Sequence, residues 1–343
     1  MSSRNGRHYG PTKMRYASIT GWGMEMPTQI MVNAEIEASL QLDDNWIFPR
    51  TGILERRIAA PEQTATDLGT AAAQKALEVA GVTPQDVDLI LVATSTPEFI
   101  FPSTASLIQN RLGLSDTGAV DVSAACSGFV YALDLAVGKV RMGSANTVLV
   151  IGTETMTRLM DWQDRKTCVL FGDGAGAVVV QGSDEPGGFM SSILRSEGSG
   201  WEKLVVPTVG SLNSFLRDGE HQMHIMYMDG RAVKEFAIDA MVKGIKMSAE
   251  KANLAVDDLD LIIPHQANLR ILEAAAEILN YPMDRVYSNL DRYGNTSAAS
   301  IPIALTEAVS EGRIKPGDVL GLIGFGGGLT WGALVVEWTG SGQ

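Results

Sequence analysis

The chain has 343 residues, 45% hydrophobic and 20% charged, which suits a globular protein with core enough for two lobes. Asp and Glu number 40 against 27 Lys and Arg, a net charge of −13, and aromatics make up only 6%, so a nucleic-acid partner, which needs a cationic, stacking surface, is excluded. No apolar run approaches the ~20 residues of a membrane span, and two cysteines build no disulfide framework, so the expected setting is the reducing cytoplasm.

Residues 1–13 are polar and carry Gly and Pro. They read as a disordered leader with Met14 as an alternative start, and His8 within it is a poor catalytic candidate. Thr66–Ala80 has helical periodicity and ends at Gly81. An acidic turn then leads to Leu89–Ala93, a short apolar strand. Cys126 follows in Val122-Ser123-Ala124-Ala125-Cys126-Ser127-Gly128, small residues that open the apolar periodic stretch Phe129–Val140. That pattern predicts a tight turn feeding a helix, with the thiol near its first turn, where free N–H groups and the helix dipole favour a thiolate. Position alone also allows a small buried hydrophobe. Cys168, beside the predicted strand Thr167–Phe171, is assigned to the core.

Gly172, Gly174 and Gly176 precede the predicted strand Ala177–Gln181, and turn formers at Gly182–Gly188 mark a join between lobes spanning 14–185 and 186–343. His221 and His224 lie in a polar segment and read as solvated. Val233–Ala252 is helical, and Leu261–Ile263 is a strand that delivers His265, at the kind of strand end where α/β proteins place chemistry. A hydrogen-bonded structural histidine fits that spacing equally well. Asn295 precedes the helix Ile301–Ser310 and reads either as a cap or as a neutral donor to an oxyanion. Gly324–Gly328 lies between two strands, and a bare N–H from Gly327 suits an oxyanion hole. Neither glycine cluster leads into a helix, which removes a dinucleotide fingerprint, and no ligand cluster suggests zinc.

The chain also repeats itself. Val82–Leu91 resembles Leu254–Ile263, and Val148–Gly152 resembles Leu320–Gly324, both at an offset of 172 residues. Helix, acidic turn and apolar strand recur in each half. Short β-branched runs between helices imply mostly parallel sheets covered on both faces, hence an α/β/α/β/α sandwich.

Four segments then resemble the β-ketoacyl-[acyl-carrier-protein] synthase III family of the thiolase-like superfamily: AACSGF around Cys126, PHQANLRI around His265, YGNTSAAS around Asn295 and GFGGGLTWG at 324–332. NWIFPRTGILERR at 45–57 and FGDGAGAVVV at 171–180 extend the likeness, which runs from about Tyr16 to Trp338. The resemblance implies a thiolase-like five-layered fold from two duplicated halves. It implies a Cys126–His265–Asn295 triad, with an oxyanion hole from the backbone of Cys126 and Gly327. The thiol would take an acyl group from acyl-CoA, and malonyl-acyl-carrier protein would then lose CO₂ and attack it, with no metal or redox cofactor. Trp46, Arg50, Thr51, Arg165, Gly230 and Asn268 would line the CoA and pantetheine path, and Arg270 would meet the carrier protein. Phe101, Met156 and Phe325 would shape the acyl pocket, Phe101 reaching across a homodimer and restricting it to short starters.

Glu235, Glu277 and Ile278 stand where the family usually carries basic residues, which weakens attraction for an acidic carrier protein. A specialised ketosynthase or acyltransferase using CoA or another carrier, and a non-catalytic acyl-binding homologue, are therefore the competing expectations. A thiolase would carry a second cysteine near its C-terminus, and no glutamate could be assigned as the general base of a hydroxymethylglutaryl-CoA synthase.

Overall fold

The computed structural model describes residues 15–207 and 224–340; the expected leader, His8 and His221 lie outside them. In chain order the elements are β1 (Tyr16–Glu25), β2 (Gln29–Val32), α1 (Asn33–Ser39), α2 (Phe48–Thr51), β3 (Glu55–Ile58), α3 (Ala65–Ala80), β4 (Leu89–Ala93), α4 (Thr104–Arg111), β5 (Gly118–Val122), α5 (Gly128–Arg141), β6 (Thr147–Thr155) and β7 (Asp173–Ser183). There follow β8 (Gly188–Ser196), β9 (Leu204–Val205), β10 (Tyr227–Met228), α6 (Gly230–Lys251), β11 (Leu261–Pro264), α7 (Leu269–Leu279), α8 (Leu290–Tyr293), α9 (Ser300–Ser310), β12 (Val319–Gly326) and β13 (Thr330–Glu337).

Two sheets carry the structure, ordered β1-β7-β6-β4-β5 and β11-β12-β13-β8. Helices α3 and α4 cover the outer face of the first, and α6 packs on the outer face of the second with α7 beside it. Helices α5 and α9 fill the space between, giving five layers. Helix α9 is buried along all but its last residue, while α5 buries a wide apolar face and leaves Leu135, Gly138 and Lys139 exposed. Phe129, Val130, Leu133, Ala136, Ile301, Ala304 and Leu305 join residues from both sheets in one core.

The 172-residue offset holds in the elements. Strand β4 maps to β11, β6 to β12, β1 to β8 and the start of α5 to that of α9. Asp88 accepts the Thr147 N–H at 3.0 Å, and Asp260 accepts the Val319 N–H at 2.8 Å, so the same side chain pins the same strand pair twice. The second copy lacks a full counterpart of β5; a single parallel bridge, Ile262 to Val286, stands where β4 pairs with β5. Strands β4, β5 and β6 run parallel, as do β11 and β12, and their C-terminal ends gather the site.

Two elements differ from the sequence reading. Residues 167–170 form turns rather than a strand. Asp164 explains this: its main-chain carbonyl accepts the Thr167 and Cys168 N–H groups, and its carboxylate accepts the Lys166 N–H. Cys168 is nonetheless fully buried. Strand β7 begins at Asp173, four residues before the expected start, because the glycines are themselves paired with β1 and β6. A Cβ at Gly176 would lie 2.7 Å from the Ile303 main chain, so the sheet needs glycine there to touch α9.

If the middle layer is a packed core, Leu133→Ala should lower unfolding free energy by about 2–5 kcal/mol. Urea denaturation checks this; a loss below about 1 kcal/mol would mean that the layer tolerates a void.

Candidate active site

Cys126 lies on a single 3₁₀ turn, Ala125–Ser127, just before α5, and not on the helix itself. Ala125 holds φ at +45°, a conformation that non-glycine residues rarely take. Ser297, its counterpart 172 residues on, holds φ at +50° on the matching turn before α9. The two turns pack against each other at the centre of the molecule. Close approach is built in: a Cβ at Gly326 would sit 2.8 Å from Cys126 N, and one at Gly152 would sit 2.4 Å from the Ala298 carbonyl oxygen.

Cys126, His265 and Asn295 line one cavity of about 400 Å³, together with Phe325 and Gly326. The thiol is 7% exposed, and burial pushes its pKa up to about 12. This reverses the expected thiolate: desolvation outweighs the pull of the helix end. His265, at the end of β11, is buried as well, which depresses its pKa to about 3 and keeps the ring neutral.

Hydrogen bonds orient both partners. His265 Nδ1 lies 2.7 Å from Ser300 Oγ, which also accepts the Gln266 N–H at 3.3 Å. We assign the Ser300 hydroxyl as the donor to Nδ1, an assignment that places the proton of the neutral ring on Nε2. The Phe325 ring meets the imidazole edge at 5.2 Å. Asn295 Oδ1 accepts the Ser297 N–H at 2.9 Å, so the free end of the amide is its NH₂ group. The cavity therefore meets its contents with a thiol and two neutral donors, a set suited to an oxygen that gains negative charge.

Trp46, Arg50, Thr51, Arg165, Gly230 and Asn268 all line the same cavity. The Arg50 and Arg165 guanidinium carbons lie 4.4 and 5.6 Å from the Trp46 ring centre. Asn268 caps α7 through the Arg270 N–H and donates to the Arg50 carbonyl. Lys166 and Lys234, absent from the sequence reading, add two exposed cations, and no carboxylate is among the described lining residues. A chain of strongly negative net charge thus opens its cavity through a positive mouth.

Four expected residues stand elsewhere. Phe101 is 84% exposed and away from the cavity of its own chain. Met156 lies behind the wall, packed in the cluster that holds Val169 and Phe171. Gly327 is not a lining residue; Gly326 takes that place, while a Cβ at Gly327 would face Leu204 and Ala125. Arg270 is tied down by the Pro49 carbonyl and Glu273. Glu235 and Glu277 are exposed, as is Ile278.

Sequence reasoning also passed over Glu154, Ser297 and Ser300. Glu154 is the penultimate residue of the wholly buried strand Thr147–Thr155, and an acid near the end of such a strand was the available signal. Ser297 was marked by the 172-residue repeat of Ala125.

The chain matches the family models for 3-oxoacyl-[acyl-carrier-protein] synthase III over residues 120–198 and for its C-terminal part over 249–338. It is 46% identical over 325 residues to a β-ketoacyl-[acyl-carrier-protein] synthase III of Roseiflexus sp. (strain RS-1), covering 94% of this chain and 99% of the relative. The crystal structure of the Thermus thermophilus synthase III superposes with a TM-score of 0.89 at 45% identity, covering 94% of this chain and all of that one. The priming β-ketosynthase of the R1128 polyketide pathway gives 0.89 at 36% identity, covering 95% and 97%.

Nitrogen-15 NMR of the histidine ring tests the orientation. His265 is expected as one neutral Nε2–H tautomer that does not titrate between pH 8 and about pH 4. Ser300→Ala should mix the tautomers; an unchanged spectrum in that variant would show that Ser300 does not set the ring.

Proposed function

The chain belongs to the 3-oxoacyl-[acyl-carrier-protein] synthase III family, and from that membership we propose how its residues divide the family's reaction. It is a condensing acyltransferase that initiates fatty-acid synthesis. The observation that carries the assignment of roles is the meeting of a buried thiol with two fixed donors behind a cationic mouth.

An acyl-CoA lies along the cavity, its adenine against Trp46 between Arg50 and Arg165, its phosphates near Lys166 and Lys234. Its pantetheine arm passes Gly230 and Asn268. Cys126 sulfur adds to the thioester carbonyl, the oxyanion is held by the main chain at Cys126 and Gly326–Gly327, and CoA leaves. Malonyl-acyl-carrier protein follows by the same route. Its carboxylate departs as CO₂, and the electron pair passes to the thioester oxygen, met by His265 Nε2–H and Asn295 Nδ2–H. The enolate carbon then attacks the acyl-Cys126 carbonyl, the C–S bond breaks, and a β-ketoacyl thioester forms. The scheme draws on loss of CO₂ and calls on no metal or redox cofactor. We place the reaction in the cytoplasm; no described helix is long and apolar enough to cross a membrane.

Phe101 enters from a second copy of the chain in this reading and limits the starter to an acetyl-sized or short branched group. Its exposure in the single chain supports that placement. The acidic and apolar residues Glu235, Glu277 and Ile278 favour a second reading, in which a specialised ketosynthase draws its extender from CoA or another carrier.

Half-reactions separate the roles. His265→Ala and Asn295→Ala should each slow malonyl-thioester decarboxylation by about 10²–10³-fold. Acylation of Cys126 should stay within about threefold, since the donors serve the second oxyanion. Equal loss in both half-reactions would reassign them to general support of the site.

A further inference from the structure

The thiol needs a proton acceptor, and the cavity side supplies none. His265 is held neutral by burial, its Nδ1 is taken up by Ser300, and on the assigned tautomer its other nitrogen carries the proton. Behind the thiol lies a second titratable group, which the scheme above leaves unused. Glu154, at the C-terminal end of β6, is fully buried. One carboxylate oxygen accepts the Ser95 N–H at 2.9 Å, Thr96 Oγ1 at 2.8 Å and Thr94 Oγ1 at 3.3 Å. The other accepts only a long contact, 3.4 Å, from the Ala298 N–H. Among the described residues no Lys or Arg forms an ion pair with it.

Ser297 lies on the turn that packs against the Cys126 turn, next to Ala298, whose N–H meets the Glu154 carboxylate. Its hydroxyl is buried and completes no hydrogen bond, although it lies close enough to the Cys126 thiol and to the Glu154 carboxyl to favour the charged form of each. A buried hydroxyl without a settled partner is unusual, and here the backbone holds it in place at φ +50°. Burial raises the Glu154 pKa from its ordinary value, which makes the carboxylate a stronger base.

We infer that Glu154, acting through the Ser297 hydroxyl, takes the Cys126 proton during acylation and returns it after condensation. This rests on the reading of Cys126 as the acylated nucleophile. In acylation the S–H proton passes to Ser297 Oγ while the Ser297 proton passes to the Glu154 carboxylate. The thiolate adds to the thioester, the C–S bond to CoA breaks, and the CoA thiolate is protonated by solvent. In condensation the enolate expels the Cys126 thiolate, and the Glu154 proton returns along the same path. One solvent proton is consumed per turnover, as the overall reaction requires. The groups around the pair are Cys126 before α5, Thr94, Ser95 and Thr96 after β4, and the turn before α9. Asp173 on β7 pairs with Thr155 and so lies on the opposite face of the sheet from Glu154.

Alkylation of Cys126 by iodoacetamide, followed by peptide mass from pH 5 to 10, tests this without any acyl substrate. A shared proton makes the wild-type rate level between the titration of Glu154 and that of the thiol. Glu154→Gln should replace that level region with an unbroken tenfold rise per pH unit. A charge neighbour alone would instead leave the profile's shape unchanged and make the variant faster throughout, which would overturn the inference.

Single-turnover acylation by acetyl-CoA at pH 7 gives the second readout. Glu154→Gln and Ser297→Ala should each slow it by about 10²-fold. The double variant should be no slower than the slower single, because the two groups act in series. Losses that multiply, or a Ser297→Ala enzyme of wild-type rate, would overturn the relay. Malonyl-thioester decarboxylation in a Cys126→Ala background should stay within about threefold in the Glu154→Gln variant; parallel loss there would assign Glu154 a structural role. If no acyl-CoA acylates the wild type, the reading of the enzyme fails, while the iodoacetamide profile still decides the relay.

Discussion

The site depends on exclusion of water from the place where the two sheets meet. Burial keeps Cys126 a thiol and His265 neutral, and both follow from the same desolvation. On the assigned tautomer the neutral imidazole is a donor, which suits the enolate oxygen of the proposed scheme. A buried thiol is slow to ionise, so the same dryness creates the demand for a base. In the proposed scheme the fold answers from behind, with a carboxyl at the end of β6, and the cations at the cavity mouth would meet an entering acyl-CoA.

Duplication makes this geometry possible. In each half a one-turn 3₁₀ segment leads into a helix that enters the middle layer. In one half the turn carries Cys126; in the other it carries Ser297 and Ala298. The strained φ angles at Ala125 and Ser297 occur at equivalent positions, and each costs on the order of 1–3 kcal/mol. That strain is held by two buried helices whose core residues come from both sheets. Function and fold meet at the same contact.

Much of this was legible in the chain. Strands such as Leu89–Ala93 and Leu261–Pro264 are short apolar runs between helices, and the 172-residue repeat pointed to two sheets of one plan. Cys126, His265 and Asn295 could be named because small-residue turns and a strand end are local signals. The sign of the thiol shift could not be read, since burial is a property of the whole packing and the helix-end argument is local. Gly326 and Gly327 were indistinguishable as neighbours in one run, and only the approach of Cys126 separates them. Glu154 and Ser297 carried faint signals, an acid near the end of a buried strand and the repeat of Ala125, but the contact that joins their segments spans 144 residues and no local pattern shows it. The turn at Thr167–Leu170 looked like a strand because its apolar residues line a wall without pairing.

The central claim is that Cys126 carries the acyl group. Intact-protein mass after mixing with acetyl-CoA measures it directly. The account expects one acetyl group on the wild type, none on Cys126→Ala, and its loss when a malonyl thioester is added. An adduct that persists in Cys126→Ala, or one that forms with long acyl groups while short ones leave the protein unmodified, would contradict it.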